Sequence, residues 1–187
     1  ALSQAPSTLG PGNATVAASE GVNRLVYRAL VDFDAQFKPA PSLASWETLT
    51  PTHYRFKLGA EGRTFHDGSA LGANDVAATY SSLQALKDSP HVAEFSNIRE
   101  VKTVDADTVD FLLSKPDEGF PARLIIGILP AGLIASRHDF SRYPVGSGPL
   151  KFLQWEGVLT LERVADRQRI LLSEVKDPTV RILKLLR

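Results

Sequence analysis

The 187-residue sequence contains no cysteine and no methionine. Without thiols there is no disulfide, no thiolate metal site and no cysteine nucleophile, although the compartment stays open because oxidising spaces also hold cysteine-free proteins. Net charge is missing too: 21 Lys and Arg balance 21 Asp and Glu. A balanced chain lacks the basic field that phosphate backbones or anionic membranes require, so nucleic acid is not an expected partner. No apolar run approaches the ~20 residues of a membrane-spanning helix. The greasiest piece, Leu124 to Leu133, is broken by Gly127, Pro130 and Gly132. There is no initiator Met and no charged-then-apolar leader, and Ala1 reads as a processed or recombinant start.

What is present is ordinary globular material, 43% apolar and 22% charged, in a length that suits one sizeable domain. No internal repeat interrupts it. Residues 1–21 are rich in Ala, Ser, Pro and Gly, and Pro6, Gly10, Pro11 and Gly12 predict an extended arm. Val22, Leu25, Val26, Ala29 and Leu30 then recur at helical spacing. Residues 22–176 are expected to form the domain proper. Asp177-Pro178 reads as an N-cap with proline at the first helical position, opening a helix over 177–187.

Strand signals dominate the middle. In Thr52 to Leu58 polar and apolar residues alternate, which puts Tyr54, Phe56 and Leu58 on one face. Val101 to Val104 and Thr108 to Leu113, joined by Asp105-Ala106-Asp107, predict a hairpin. Gly148 to Glu156 and Val158 to Val164, broken at Gly157, predict another. Between them Val76, Tyr80, Leu83 and Leu86 mark a helix from Ala73, with Gly72 at the N-cap. Asp75, three residues on, is placed to reach back to the unpaired N–H groups of the first turn. The fold class is therefore α+β or α/β, mainly antiparallel sheet with packed helices.

Chemistry-bearing patterns are sparse. His66-Asp67 is the one pair that suggests a general base or a metal, but no second ligand lies at the spacing that shares a helix face. Its plainer reading is a turn, with Asp67-Gly68 reversing the chain and His66 bonding locally. His53, His91 and His138 stand singly and read as surface. Asp105-Ala106-Asp107 resembles the opening of a calcium loop without its glycine and distal glutamate, and reads as a solvated turn. Gly146-Ser147-Gly148 lacks the strand–turn–helix context of a nucleophile elbow, and reads as a tight turn that needs small residues. Trp46 and Trp155 read as core. No cofactor and no metal are expected.

Several segments in fixed order carry a family likeness. They are Pro39 to Glu47 (PAPSLASWE), Tyr54 to Leu58, Phe65-His66-Asp67-Gly68 with Asn74-Asp75-Val76, Val104 to Val109 with Leu113-Ser114-Lys115-Pro116, Pro144 to Pro149 (PVGSGP) and Leu161-Glu162-Arg163. Together they resemble the extracytoplasmic solute-binding proteins of family 5, the peptide/nickel type that serves ABC importers. Gly59, where that family usually has Arg, Leu150, where it has an aromatic, and the absent Asn-Pro-Asp-Tyr-Trp tract bear on the ligand class.

The resemblance implies the N-terminal lobe of a type II periplasmic-binding-protein fold, with residues 177–187 leading toward a second lobe. It implies a substrate-binding component, not an enzyme, that captures an oligopeptide or dipeptide in a cleft and delivers it to a membrane permease. A nickel chelate, an opine or an oligosaccharide are the other ligands of such proteins. It further implies a periplasmic or extracytoplasmic location, with a lipid anchor ahead of Ala1 left open, and a monomer. Ligand contacts are expected from the backbone around Thr15, Val16, Ala17 and Ala18, a stretch that otherwise reads as a sheet edge. The alternatives are a small metal- or carboxylate-dependent hydrolase using His66 and Asp67, and a signalling or chaperone-like relative of the same fold. A 1 μM binder has ~8 kcal/mol of binding free energy, and half of that leaves ~4, near 1 mM. One lobe alone is thus expected to be functionally silent.

Overall fold

The computed structural model describes residues 17–86, 89 and 91–172. Its largest unit is an antiparallel sheet of order β3-β4-β6-β5, made by β3 (Ala44–Thr50), β4 (His53–Leu58), β5 (Ile98–Thr103) and β6 (Thr108–Leu113). The register Trp46↔Phe56, Tyr54↔Phe111 and Val101↔Phe111 gathers the apolar parity of each strand on one side. On that side lies helix α2 (Ala73–Ala85), whose Val76, Tyr80 and Leu83 are buried. Tyr80 meets Phe95 and Phe111 edge to face, with ring centroids 5.3 and 5.2 Å apart. Phe95 belongs to the one-turn α3 (Val92–Phe95).

The start of α2 follows the expectation. The Gly72 N–H donates to Asp75 Oδ2 at 2.8 Å. The other oxygen, Oδ1, accepts the Ala131 N–H at 2.7 Å, which ties α2 to the short α4 (Ala131–Ala135). Leu86, counted in the apolar stripe, falls beyond the helix end and is exposed.

A second, smaller core joins α1 (Ala17–Val26) to the three-stranded sheet β7-β8-β9, made of Leu150–Glu156, Val158–Arg163 and Arg169–Leu172. Gly157, at φ +73°, turns β7 into β8 as its position suggested. Leu150, where the family has an aromatic, is buried in this core. A two-stranded hairpin, β1 (Val31–Phe33) with β2 (Pro39–Pro41), was not foreseen, because prolines argue against strands except at edges.

Three expectations need correction. The extended arm does not run to residue 21, since 17–21 already belong to α1: no helix breaker follows Gly12 except the tolerated Gly21, and Val22 and Val26 have a core to enter. That helix also stops at Val26, so Ala29 and Leu30 lie beyond it. The tryptophans are half-buried rather than enclosed, Trp46 against the larger core and Trp155 against the smaller. The arm's residues 1–16 and the expected helix over 177–187 lie outside the described residues.

Candidate functional site

A cleft of about 360 Å³ opens along α1. Its first wall is Glu20, Asn23, Arg24, Tyr27 and Arg28, a recurrence at i, i+3, i+4, i+7 and i+8 that continues one helix face into the turn after Val26. Facing it are Val31, Asp32 and Phe33 of β1, Ser42, His91, Pro149 and the stretch Ile125-Ile126-Gly127. That stretch is held beside the chain after α1 by Val31 N–H to Leu124 O (3.2 Å) and Ile128 N–H to Arg28 O (2.9 Å).

Glycine sets how closely these walls approach. A Cβ on Gly127 would lie 2.4 Å from Tyr27 Cβ, so no other residue fits without shifting one of the two backbones. Burial pushes the Tyr27 phenol well above its usual pKa, opposed by the adjacent Val145 backbone, and its hydroxyl has no partner in hydrogen-bonding geometry. Arg28 donates from Nε to Ser147 O at 3.0 Å, which anchors the loop 144–149 to the cleft. The charges on the walls are of both signs: Glu20 and Asp32 against Arg24 and Arg28.

Apart from Ser42 and Pro149, the motif residues fall elsewhere. His66 does not bond locally: its Nε2 meets Gly148 O at 2.9 Å, 82 residues away, and its own N–H donates to Gly146 O. The imidazole is thereby drawn toward the 144–149 loop, whereas Asp67 Oδ1 accepts the Ser69 N–H and hydroxyl. Histidine and aspartate serve different partners and do not converge. His53 is not a lone surface residue but lies 2.9 Å from the buried Asp110 carboxylate, which Arg55 also grips with two bonds. His91 Nδ1 is 3.3 Å from Glu94. Among the described residues no three His, Asp or Glu side chains gather as a metal site.

Of the expected ligand-contacting stretch, Thr15 and Val16 lie outside the described residues. Ala17 and Ala18 begin α1, and are thus the first turn of a helix rather than a loop or a sheet edge. That turn and the wall that starts at Glu20 belong to the same helix. The wall residues themselves were missed by the sequence reading, which followed only the apolar stripe from Val22. The signal was there, as a polar stripe one position away.

A two-core α+β unit, with a cleft that Ser42 and Pro149 of two of the motifs help to line, is what relatives should share. Residues 38–186 match the model of the bacterial extracellular solute-binding proteins, family 5 Middle. The chain belongs to this family. Among solved structures it resembles AgaA of A. tumefaciens R10, a periplasmic binding protein in complex with agropinic acid: 27% identical, TM-score 0.88, over 98% of this chain and 40% of that one. It also resembles AppA of Bacillus subtilis, an oligopeptide-binding protein in complex with a nonapeptide: 25% identical, TM-score 0.87, over 98% of this chain and 41% of that one. A curated relative of Escherichia coli K12, the HTH-type transcriptional regulator SgrR, is 30% identical over 108 residues, 56% of this chain and 18% of SgrR.

This family 5 chain thus spans less than half the length of each of these proteins. Its fold is the expected one, that of a periplasmic-binding-protein lobe with antiparallel sheets and packed helices. The family is one of binding proteins, and it is the cleft, not His66 and Asp67, where a solute has room.

Proposed function

We propose that this family 5 chain is the solute-gripping lobe of an ABC importer's substrate-binding component, located outside the cytoplasmic membrane, with a short peptide as its ligand and a membrane permease as its partner. The observation that carries the reading is the cleft along α1. It is concave, partly apolar through Val31, Phe33, Ile125 and Ile126, and bordered by acidic and basic side chains, which suits a zwitterion. Capture there is a binding event with no bond made or broken. The remaining contacts would come from the part of the relatives that this chain does not span, closing over the ligand and strengthening polar contacts as water leaves.

A second reading is favoured by the likeness to SgrR: the same solute capture feeding a transcriptional regulator instead of a permease. Both are tested with the polypeptide as its gene encodes it. Calorimetry with trialanine should show saturable binding, and deletion of the gene should abolish uptake of labelled trialanine. Binding with unchanged uptake but altered transcription supports the regulator. Absence of binding to any di- to pentapeptide removes the peptide reading.

A further inference from the structure

The hairpin of β1 and β2 ends in a side chain that the fold does not explain. Phe37 is 85% exposed, more than any other large apolar residue described, and it belongs to neither core. Its backbone is held at φ +58°, in the left-handed region where a bulky side chain is strained and where a turn of this kind ordinarily places glycine. The turn is tightly fixed. Asp34 Oδ1 accepts the Gln36 and Lys38 N–H groups at 2.8 and 2.9 Å, while the Phe37 N–H donates to Asp34 O and the Asp34 N–H to Lys38 O. The ring forgoes the stabilisation that burial gives, and its backbone carries a strain that glycine at 37 would not.

The rest of the hairpin narrows what covers the ring. None of residues 34–41 lines the cleft, so the tip stands outside the space a solute fills. Asp34 and Lys38 are bonded across the ladder, so Pro39 and Pro41 occupy the alternate positions whose N–H would point outward. Having none, they bar a strand from a second copy of the chain. A single ring buries about 150–250 Å², far below the ~1,200 Å² of a stable interface, and so suits an anchor in a contact that forms and breaks. Parts of one chain meet at effective concentrations on the order of millimolar without an anchor, whereas a separate partner is held only by what it buries.

We propose that Phe37 is the anchor by which this lobe seats on the membrane permease, its ring entering an apolar pocket of that partner. This deepens the importer reading given above and rests on it. β1 lines the cleft through Val31, Asp32 and Phe33 before it reaches the turn, so a partner that covers the cleft to receive its solute meets the hairpin tip as well. The fixed turn presents the ring already in place, which avoids the ordering cost of a mobile side chain. Gln36 and Lys38, exposed on either side of it, form a polar rim.

The test uses the polypeptide as its gene encodes it, purified and in cells. Phe37→Gly keeps the turn and removes the ring. It should melt no lower than the wild type, bind trialanine with unchanged affinity, and lower the uptake of labelled trialanine about tenfold, the loss of one anchor. Phe37→Tyr, which keeps an aromatic ring, should retain most of the uptake. Undiminished uptake with Phe37→Gly overturns the role of Phe37 while leaving the importer reading standing. Weakened trialanine binding by that variant shows that the ring serves closure over the ligand, and a lower melting temperature shows that it packs within the protein; either result also overturns it. Deletion of the wild-type gene that leaves trialanine uptake unchanged overturns the importer reading and this inference together.

Discussion

His66 Nε2 lies 2.9 Å from the carbonyl oxygen of Gly148. With the His66 N–H on Gly146 O, and the Gly148 N–H on Val26 O, this makes a joint in which the turn after Phe65, the 144–149 loop and the end of α1 hold one another. Val145 packs against the larger core and Leu150 enters the smaller one, so the loop between them is the mechanical link of the two. Arg28, on the cleft wall, hangs from the same loop through Ser147 O.

The joint should be acid-sensitive. With Nε2–H donating to Gly148 O, Nδ1 is left buried without a partner, and a proton there would have no acceptor. Burial therefore holds the imidazole below its usual 6.5, with Lys151 acting in the same direction and the Gly148 carbonyl and Asp67 opposing. Below pH 6.5 the unfolded chain takes up the proton first, so stability is full above 6.5 and falls as pH drops from there toward the folded pKa. The urea midpoint should be lower at pH 5.5 than at pH 7.5. His66→Gln, which keeps a donor but cannot titrate, should flatten that difference, and an unchanged slope would acquit His66.

Glycine at 146 should be irreplaceable for reasons of space. A Cβ there would sit 2.1 Å from Val26 O, a backbone atom that cannot rotate away. Gly146→Ala should cost about 3 kcal/mol, at the upper end of overpacking. Gly21→Ala is the control: nothing lies within 4 Å of its Cβ, and inside α1 the exchange should stabilise by about 0.5–1 kcal/mol. Both are read from denaturant curves.

Asp110 should be the costliest charge to remove from the outer face of the main sheet. It is buried while holding Arg55 through two bonds of 2.8 and 2.9 Å and His53 through one. Asp110→Asn should lose about 1–3 kcal/mol, and nearer the lower figure because Arg55 is 40% exposed. Its hydrogen bonds with Arg55 hold the carboxyl below 3.8. Its contribution is therefore present above that pH and lost as pH falls below it, a loss that the asparagine variant should not show.

Tyr80 points the other way. Its ring is central to the larger core, but its hydroxyl is fully buried without a partner, and burial pushes its pKa far up. Tyr80→Phe keeps the ring contacts and removes the unmet group, so it should raise stability by about 1 kcal/mol. A lower melting temperature would show that the hydroxyl is satisfied in solution.

Much of this was readable from local pattern. Alternation in Tyr54, Phe56 and Leu58 gave β4 its buried face, the spacing of Val76, Tyr80 and Leu83 gave α2, and Gly157 marked the turn between β7 and β8. Asp75 was placed correctly at the start of α2, but only for one of its two oxygens. The bond from Ala131 to the other spans 56 residues, and nothing near position 75 announces it. The small residues at 146 and 148 were read as the need of a tight turn. Neither has positive φ, and what requires them is the approach of α1's carbonyls.

The sequence by itself determined elements such as β4, β6 and α2, the family and the absence of thiol chemistry, because periodicity and turn residues act over a few positions and a motif can be matched wherever it lies. Only the tertiary structure decided where those elements meet: His66 on Gly148, Tyr27 against Gly127, and the polar stripe of α1 facing β1 as the wall of a cleft. Such contacts join residues whose separation along the chain carries no period, and they are selected by which surfaces pack. Asn23 shows the division in one residue, polar by its letter and without a partner only by its place.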